Sequence, residues 1–147
     1  MARNEVDALL RFPLLVTVNV RTAKKSIRQN VDSSSPLFCP YMLYVRNCYD
    51  SLCISPREAH LAVPYVHRDI PNGLSYQDWQ FAIETLSRGW RHLVVQDTII
   101  FKRRRDFSLV VESNARKSIV RSLPEMAIDR VRDLAPHGPG NGRRTDT

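Results

Sequence analysis

The chain has 147 residues and a formal net charge of +7, with 43% hydrophobic and 25% charged residues. These values are ordinary for a globular protein with a modest core, and they exclude a wholly disordered chain. The sequence predicts one α+β domain over residues 1–135 and a disordered basic tail over 136–147. No apolar run approaches the ~20 residues that cross a bilayer, so we expect no transmembrane insertion.

The first half of the chain predicts two strands separated by a loop. Apolar and polar residues alternate over 12–20, which is typical of a half-buried strand. The polar, serine-rich stretch after it predicts a mobile loop over about 21–36. Aromatic and β-branched residues over 41–46, preceded by Pro40, indicate a second strand.

Two helices are predicted in the middle of the chain. Ser55 and Glu58 have capping-box spacing and predict a short helix over 56–63. Ser75 is expected to cap a longer helix. One helical face then carries apolar residues at steps of four, three and four: Trp79, Ile83, Leu86 and Trp90.

Three β-prone runs follow, over 93–95, 99–101 and 107–111. The last two flank four consecutive cations at 102–105, which predicts a hairpin with a basic connection. Further helices are expected to begin at Ser113 and after Ser122. The fold class expected is therefore α+β, with a small mixed sheet, a basic hairpin and two to four helices.

The positive charge is concentrated in one stretch. Nine cations and three anions lie between residues 88 and 121, a net charge of +6. Such a field favours a polyanion, and arginine matches phosphate oxygens, so RNA is the expected partner. A targeting or membrane-surface role and a merely solvated turn are the alternatives. The predicted nucleic-acid-binding residues are Arg88, Arg91, Lys102, Arg103, Arg104, Arg105, Arg116 and Lys117.

Aromatic residues near these cations have two interpretations. Phe101, Phe107 and Trp90 offer stacking surfaces for bases, although their apolar neighbours favour core packing for each. The dipeptide at Gly89 and Trp90 also resembles the hooks with which some viral silencing suppressors engage Argonaute proteins. A host silencing factor is therefore a second candidate partner.

Four residues in the middle of the chain are candidate zinc ligands: Cys48, Cys53, His60 and His67. Thiolate and imidazole are the ligands that structural zinc prefers. Six residues separate the histidines, more than the usual three to five, so buried cysteines with surface histidines are the alternative. Three cysteines and no evident secretory signal favour a reducing compartment, the cytoplasm or the nucleus.

The common enzymatic motifs are missing from the sequence. It contains neither a phosphate-binding P-loop nor a dinucleotide-binding glycine pattern, and neither a zinc-protease nor a nucleophile-elbow motif. The expected function is therefore not enzymatic.

The size, the basic charge and the cysteine and histidine cluster at 48–67 together resemble the small first-open-reading-frame protein of sobemoviruses. That resemblance implies a plant-virus movement protein that binds RNA without sequence preference and suppresses RNA silencing. It also implies a location in the host cytoplasm, at plasmodesmata or in the nucleus. Some members hold zinc through cysteines two residues apart, whereas four residues separate Cys48 from Cys53 here.

Overall fold

The computed structural model describes residues 14–22, 27–28, 30–49, 51–102 and 106–134. Its strands are β1 (Leu14–Thr22), β2 (Ile27–Arg28), β3 (Cys53–Ile54) and β4 (Arg91–Lys102). Its α-helices are α1 (Arg57–Ala62), α2 (Gln77–Ser87) and α3 (Leu109–Ala115). Short 3-10 helices span Pro40–Tyr44, Ile70–Asn72, Pro124–Met126 and Val131–Leu134. These elements confirm the predicted small mixed α+β fold.

The sheet is organised around β1, which takes part in every strand pairing. It runs parallel to β4 along its whole length, from Leu14 opposite Arg91 to Thr22 opposite Lys102. The short strands β3 and β2 pair with it antiparallel. Since β4 occupies one edge of β1, these two short strands lie against the other edge.

The strands predicted over 12–20, 93–95 and 99–101 are confirmed in the described residues, with one difference. The latter two are parts of a single strand, β4. Its register with β1 shifts between Val18 and Asn19, whose partners are Val95 and Ile99. An irregularity of this kind lets the extra residues of β4 bulge without ending the strand.

The stretch over 21–36 is not simply a loop. Ile27–Arg28 forms β2. Farther along, the Ser33 hydroxyl accepts a hydrogen bond from the His92 backbone N–H at 2.9 Å, and an Asp32 carboxylate oxygen accepts one from the N–H of Val94. Short polar side chains thus satisfy backbone donors of β4 where no strand lies beside it.

Helix α2 packs between two hydrophobic clusters, and its existence was correctly predicted. In the larger cluster, Ala82, Ile83 and Leu86 of α2 pack against the Pro40–Tyr44 turn and against the end of the described chain. The buried members of this cluster are Leu43, Tyr49, Ala82, Ile83, Leu86, Val131 and Leu134. On another face of α2, Phe81 packs with Ala59 and Val63 of the α1 region. An element that buries two faces must lie at the centre of the core.

The strand predicted over 41–46 is wrong. Pro40–Tyr44 is a 3-10 helix with proline in its first turn, and Leu43 is its fully buried apolar side chain. A strand would bury alternate residues, whereas Tyr41 and Val45 are exposed. Burial therefore favours the tighter turn over the β propensity of the aromatic residues.

The predicted hairpin is also wrong, because residues 107–111, its expected second strand, lead into helix α3. The Ser108 hydroxyl accepts a hydrogen bond from the Val111 N–H at 3.3 Å, and Glu112 pairs with Arg116 at 3.4 Å. An N-cap and an ion pair one turn apart stabilise a helix. Ser113 accordingly lies inside α3 and does not start a helix.

Helix caps were predicted less well than the helices. Ser55 does not cap α1; its hydroxyl lies 2.6 Å from Nε2 of His60. Ser75 does not cap α2, since its hydroxyl lies 2.7 Å from that of Ser113. The helix expected after Ser122 is reduced to two 3-10 turns. Each serine hydroxyl thus bonds another side chain in place of the expected cap, Ser55 within its own segment and Ser75 across 38 residues.

Leu43→Ala tests the packing of the 3-10 turn against α2. Leu43 is 1% exposed, so its truncation should lower the free energy of unfolding by about 2–5 kcal/mol in urea titrations. Leu61→Ala is the matched control, because Leu61 is 64% exposed and should cost little. Equal losses in the two variants would contradict this core.

Candidate nucleic-acid interface

The eight predicted RNA-binding residues do not form one cluster. Arg91 begins β4 and Lys102 ends it. A strand of 12 residues extends roughly 35 Å, so these two residues lie at opposite ends of the sheet. Arg88 belongs with Arg91, while residues 103–105 continue directly from Lys102. The candidates therefore fall into three groups along the chain, at the start of β4, after its end and just beyond α3.

The group at the start of β4 is already engaged with the protein. A guanidinium nitrogen of Arg88 donates a hydrogen bond to the Ala62 carbonyl oxygen at 2.5 Å. A guanidinium nitrogen of Arg91 donates one to the Ser34 hydroxyl at 3.0 Å, and Arg91 is only partly exposed. The first contact joins α1 to the end of α2, and the second joins Ser34 to the start of β4.

The group at the end of β4 precedes α3, and we call residues 102–105 the basic connection. The three arginines at 103–105 lie outside the described residues. Of Lys102, only the backbone is described. Asp106 and Phe107, which follow immediately, are both exposed. The described chain therefore resumes at the protein surface, directly after the basic connection.

The exposure of Phe107 differs most clearly from what the sequence predicts. Core packing was the favoured interpretation, yet its side chain is 93% exposed. Trp90 does pack, against the cluster formed by Ala59, Val63 and Phe81. An Argonaute hook needs a freely presented indole, and this packing does not favour one. The Phe101 side chain lies outside the described part.

Arg116 and Lys117 lie just beyond α3 and are exposed. Arg116 makes the surface ion pair with Glu112 at 3.4 Å. Exposed pairs of this kind contribute roughly 0–1 kcal/mol, so the guanidinium remains available to a competing anion. Lys117 has a left-handed backbone with φ of 52°, which turns the chain at this point.

A groove of about 310 Å³ lies where the start of α2 meets α3. Its lining includes Arg68, Tyr76 and Asp78 on one side and Leu109 and Val110 of α3. No sequence pattern pointed to this groove, because its lining comes from four separate segments of the chain. It places an exposed arginine beside exposed aliphatic side chains.

Within the part of the chain that the structure describes, the four candidate zinc ligands do not form one group, although Cys53 and His60 both border the cluster that contains Phe81. The Cys48 thiol donates to the Arg46 carbonyl oxygen at 3.9 Å, and Cys53 lies in β3. The His60 ring stacks on Phe81 at 5.0 Å, while the His67 side chain is exposed. Among the described residues, no three histidine, cysteine or acidic side chains form a group suited to a metal. The zinc set stays a prediction.

Two tyrosines have raised pKa values: Tyr49, which is buried, and Tyr65, which is 42% exposed. Burial, with Cys48 and Asp32 adding to it, raises the pKa of Tyr49 far above its ordinary value. Burial also raises the pKa of Tyr65, with Cys53 and Asp78 contributing. Both phenols therefore remain neutral donors and do not act as anions at neutral pH.

His92 is fully buried, and its pKa is strongly shifted. Burial lowers its pKa from 6.5 to about 3. The Thr85 hydroxyl donates to the Phe81 carbonyl oxygen at 2.7 Å, so it accepts from Nε2 of His92, 2.8 Å away. That bond joins β4 to α2, and the buried imidazole has no access to a substrate.

Comparison with known proteins returned no match: no family model, no curated protein and no solved structure is significantly similar to the chain. Within the described residues, no helix combines the length and the apolar character needed to cross a bilayer.

The neutral His92 makes stability depend on pH. The unfolded imidazole binds a proton near pH 6.5 and the folded one near pH 3, so acidification between these values favours unfolding. The free energy of unfolding should fall by up to about 1.4 kcal/mol per pH unit in this window. Stability contributed by His92 is complete above pH 6.5.

Urea titrations across this pH window check the effect. His92→Gln should reduce the slope relative to that of His67→Gln, a control substitution at an exposed histidine. Identical slopes in both variants would show that His92 is not the titrating group.

Proposed function

We propose that the protein binds RNA without sequence preference through the basic connection, with Phe107 as a stacking surface and Arg116 and Lys117 as supporting phosphate contacts. The observation that carries this proposal is the 93% exposure of Phe107, two residues after the run of four cations. A phenyl ring beside arginines suits a single strand, which presents both phosphates and unstacked bases.

The phosphate contacts follow from charge and position. Four consecutive cations lie between the end of β4 and the exposed residues 106–107. Guanidinium groups bind phosphate oxygens in a bidentate geometry, and each neutralised phosphate releases counterions. Arg116 and Lys117 extend this field, because the seven residues of α3 span only about 10 Å.

Stacking is the second component of the proposed interface. Consecutive Cα atoms are about 3.8 Å apart, so the Cα of Phe107 lies within about 8 Å of that of Arg105 in any conformation. A nucleotide whose phosphate binds Arg105 is therefore within reach of the Phe107 ring. Because every base has a π-face, such stacking tolerates any sequence.

This binding supports the roles that the sobemovirus resemblance implies. A protein that coats single-stranded RNA is suited to carrying a viral genome between plant cells, and one that sequesters silencing RNA suppresses silencing. We extend the proposal to both roles, and to action in the host cytoplasm, at plasmodesmata or in the nucleus. No catalytic step is part of it.

Changing all four residues of the basic connection to alanine tests the phosphate contacts. Plotted as log affinity against log salt, binding of a single-stranded RNA should lose about 3 units of slope, since each phosphate contributes about 0.7. Arg88→Ala with Arg91→Ala is the control, because these residues lie at the other end of β4. An unchanged slope in the fourfold variant would refute the interface.

Phe107→Ala tests stacking separately. Single-strand affinity should fall by about 1–3 kcal/mol, while binding to a duplex, whose bases are not available, should change little. Phe107→Trp should retain affinity, and Tyr41→Ala, at another exposed aromatic residue, should have no effect. Equal losses on single and double strands would contradict the stacking role.

A further inference from the structure

The groove between the start of α2 and α3 carries one positive and one negative side chain that do not pair with each other. Arg68 and Asp78 both line it. In the described part of the chain Arg68 makes no ion pair, and Asp78 accepts a hydrogen bond from the Asn47 side-chain amide at 3.1 Å. The two charges balance, so the groove favours a ligand that is neutral overall but carries both signs.

The buried side of the groove supplies hydrogen-bond acceptors. The Ser113 hydroxyl donates to a backbone carbonyl oxygen at 2.7 Å, so the Ser75 hydroxyl, 2.7 Å away, donates its own proton to Ser113. The Tyr76 hydroxyl donates to the Asn114 side chain at 2.6 Å. Because these protons are used within the protein, the oxygens of Ser75 and Tyr76 can only accept from a ligand. Together with the Asp78 carboxylate they suit an ammonium group.

The other walls of the groove suit different chemistry. The exposed guanidinium of Arg68 donates and cannot accept, and its planar fork matches a carboxylate. Leu109 and Val110 of α3, exposed by 52% and 57%, form an aliphatic wall. The volume of about 310 Å³ is at the small end of ligand sites, which run from roughly 300 to 1,000 Å³. The groove therefore fits a small molecule with an ammonium, a carboxylate and an aliphatic group.

A strained residue forms part of this groove. Tyr76 has a left-handed backbone with φ of 61° and ψ of 46°, which a bulky side chain rarely adopts. Its bond to Asn114 and its edge-on ring contact with Trp79, at 6.1 Å between centroids, hold it there. Strain of this kind is concentrated at ligand sites. A wall held in place before binding also lowers the entropic cost of taking up a ligand.

We propose that this groove binds a small zwitterion with an aliphatic side chain, either a free amino acid or a short peptide. Arg68 binds its carboxylate, and Asp78 with the neighbouring hydroxyl oxygens holds its ammonium group. The aliphatic side chain of the ligand lies against Leu109 and Val110. The site uses no residue of the basic connection, so it is independent of the proposed RNA binding.

Nuclear magnetic resonance titration of the full chain with leucine and with dileucine, to about 10 mM, tests the site. Backbone amides that line the groove should shift, and the ligand that binds more tightly identifies the source. Leucinamide and N-acetyl-leucine, which each lack one charge, should bind about tenfold or more weakly. Glycine, which lacks the side chain, should also bind more weakly. Absence of groove shifts with both ligands, or equal affinity for the blocked forms, would overturn the proposal.

Variants of the two charged residues assign the contacts. Arg68→Gln should weaken binding of leucine by about tenfold or more but leave that of leucinamide, which has no carboxylate, unchanged. Asp78→Asn should weaken binding of leucine and leave that of N-acetyl-leucine unchanged. Arg57→Gln, at an exposed arginine of α1 outside the groove, is the matched control. Circular dichroism verifies that the variants are folded. Equal losses of leucine and leucinamide in Arg68→Gln would contradict the carboxylate contact.

Discussion

The parallel pairing of β1 with β4 is the constraint on which the rest of the structure depends. Parallel neighbours cannot be joined by a tight turn, so the chain between them must cross over. That crossover contains α1 and α2, and α2 supplies the centre of both hydrophobic clusters. The same pairing keeps β4 extended over 12 residues, and so separates the arginines at its start from the cations at its end.

The two ends of β4 consequently serve different purposes. At its start, the backbone of His92 exchanges hydrogen bonds with Ser33, and its ring bonds Thr85 of α2. Removing either partner would leave a buried polar group without its hydrogen bond. Its end leads into four consecutive cations of the sequence, and Phe107 beyond them lies in solvent. Stabilising hydrogen bonds are thus found at the start of the strand, and the proposed RNA interface follows its end.

Apolar spacing along the sequence predicted β1 and α2, whereas it failed where tertiary contacts determine the structure. The apolar spacing around Ile83 predicted α2, and alternation predicted β1. Residues 107–111 have high β propensity, but Ser108 and the Glu112–Arg116 spacing were helix signals in the same stretch. The exposure of Phe107 was beyond prediction, because it depends on the docking of Ser113 against Ser75, 38 residues away in the chain.

The docking of α3 through its polar residues determines which side chains the start of this helix exposes. Ser113 is buried against Ser75, 38 residues earlier in the chain, and Asn114 accepts a hydrogen bond from the Tyr76 hydroxyl. With these contacts made, Phe107, Leu109 and Val110 remain exposed. The proposed stacking of a base on Phe107 therefore requires no rearrangement of α3, because the contacts that hold the helix involve residues 113 and 114 and leave Phe107 in solvent.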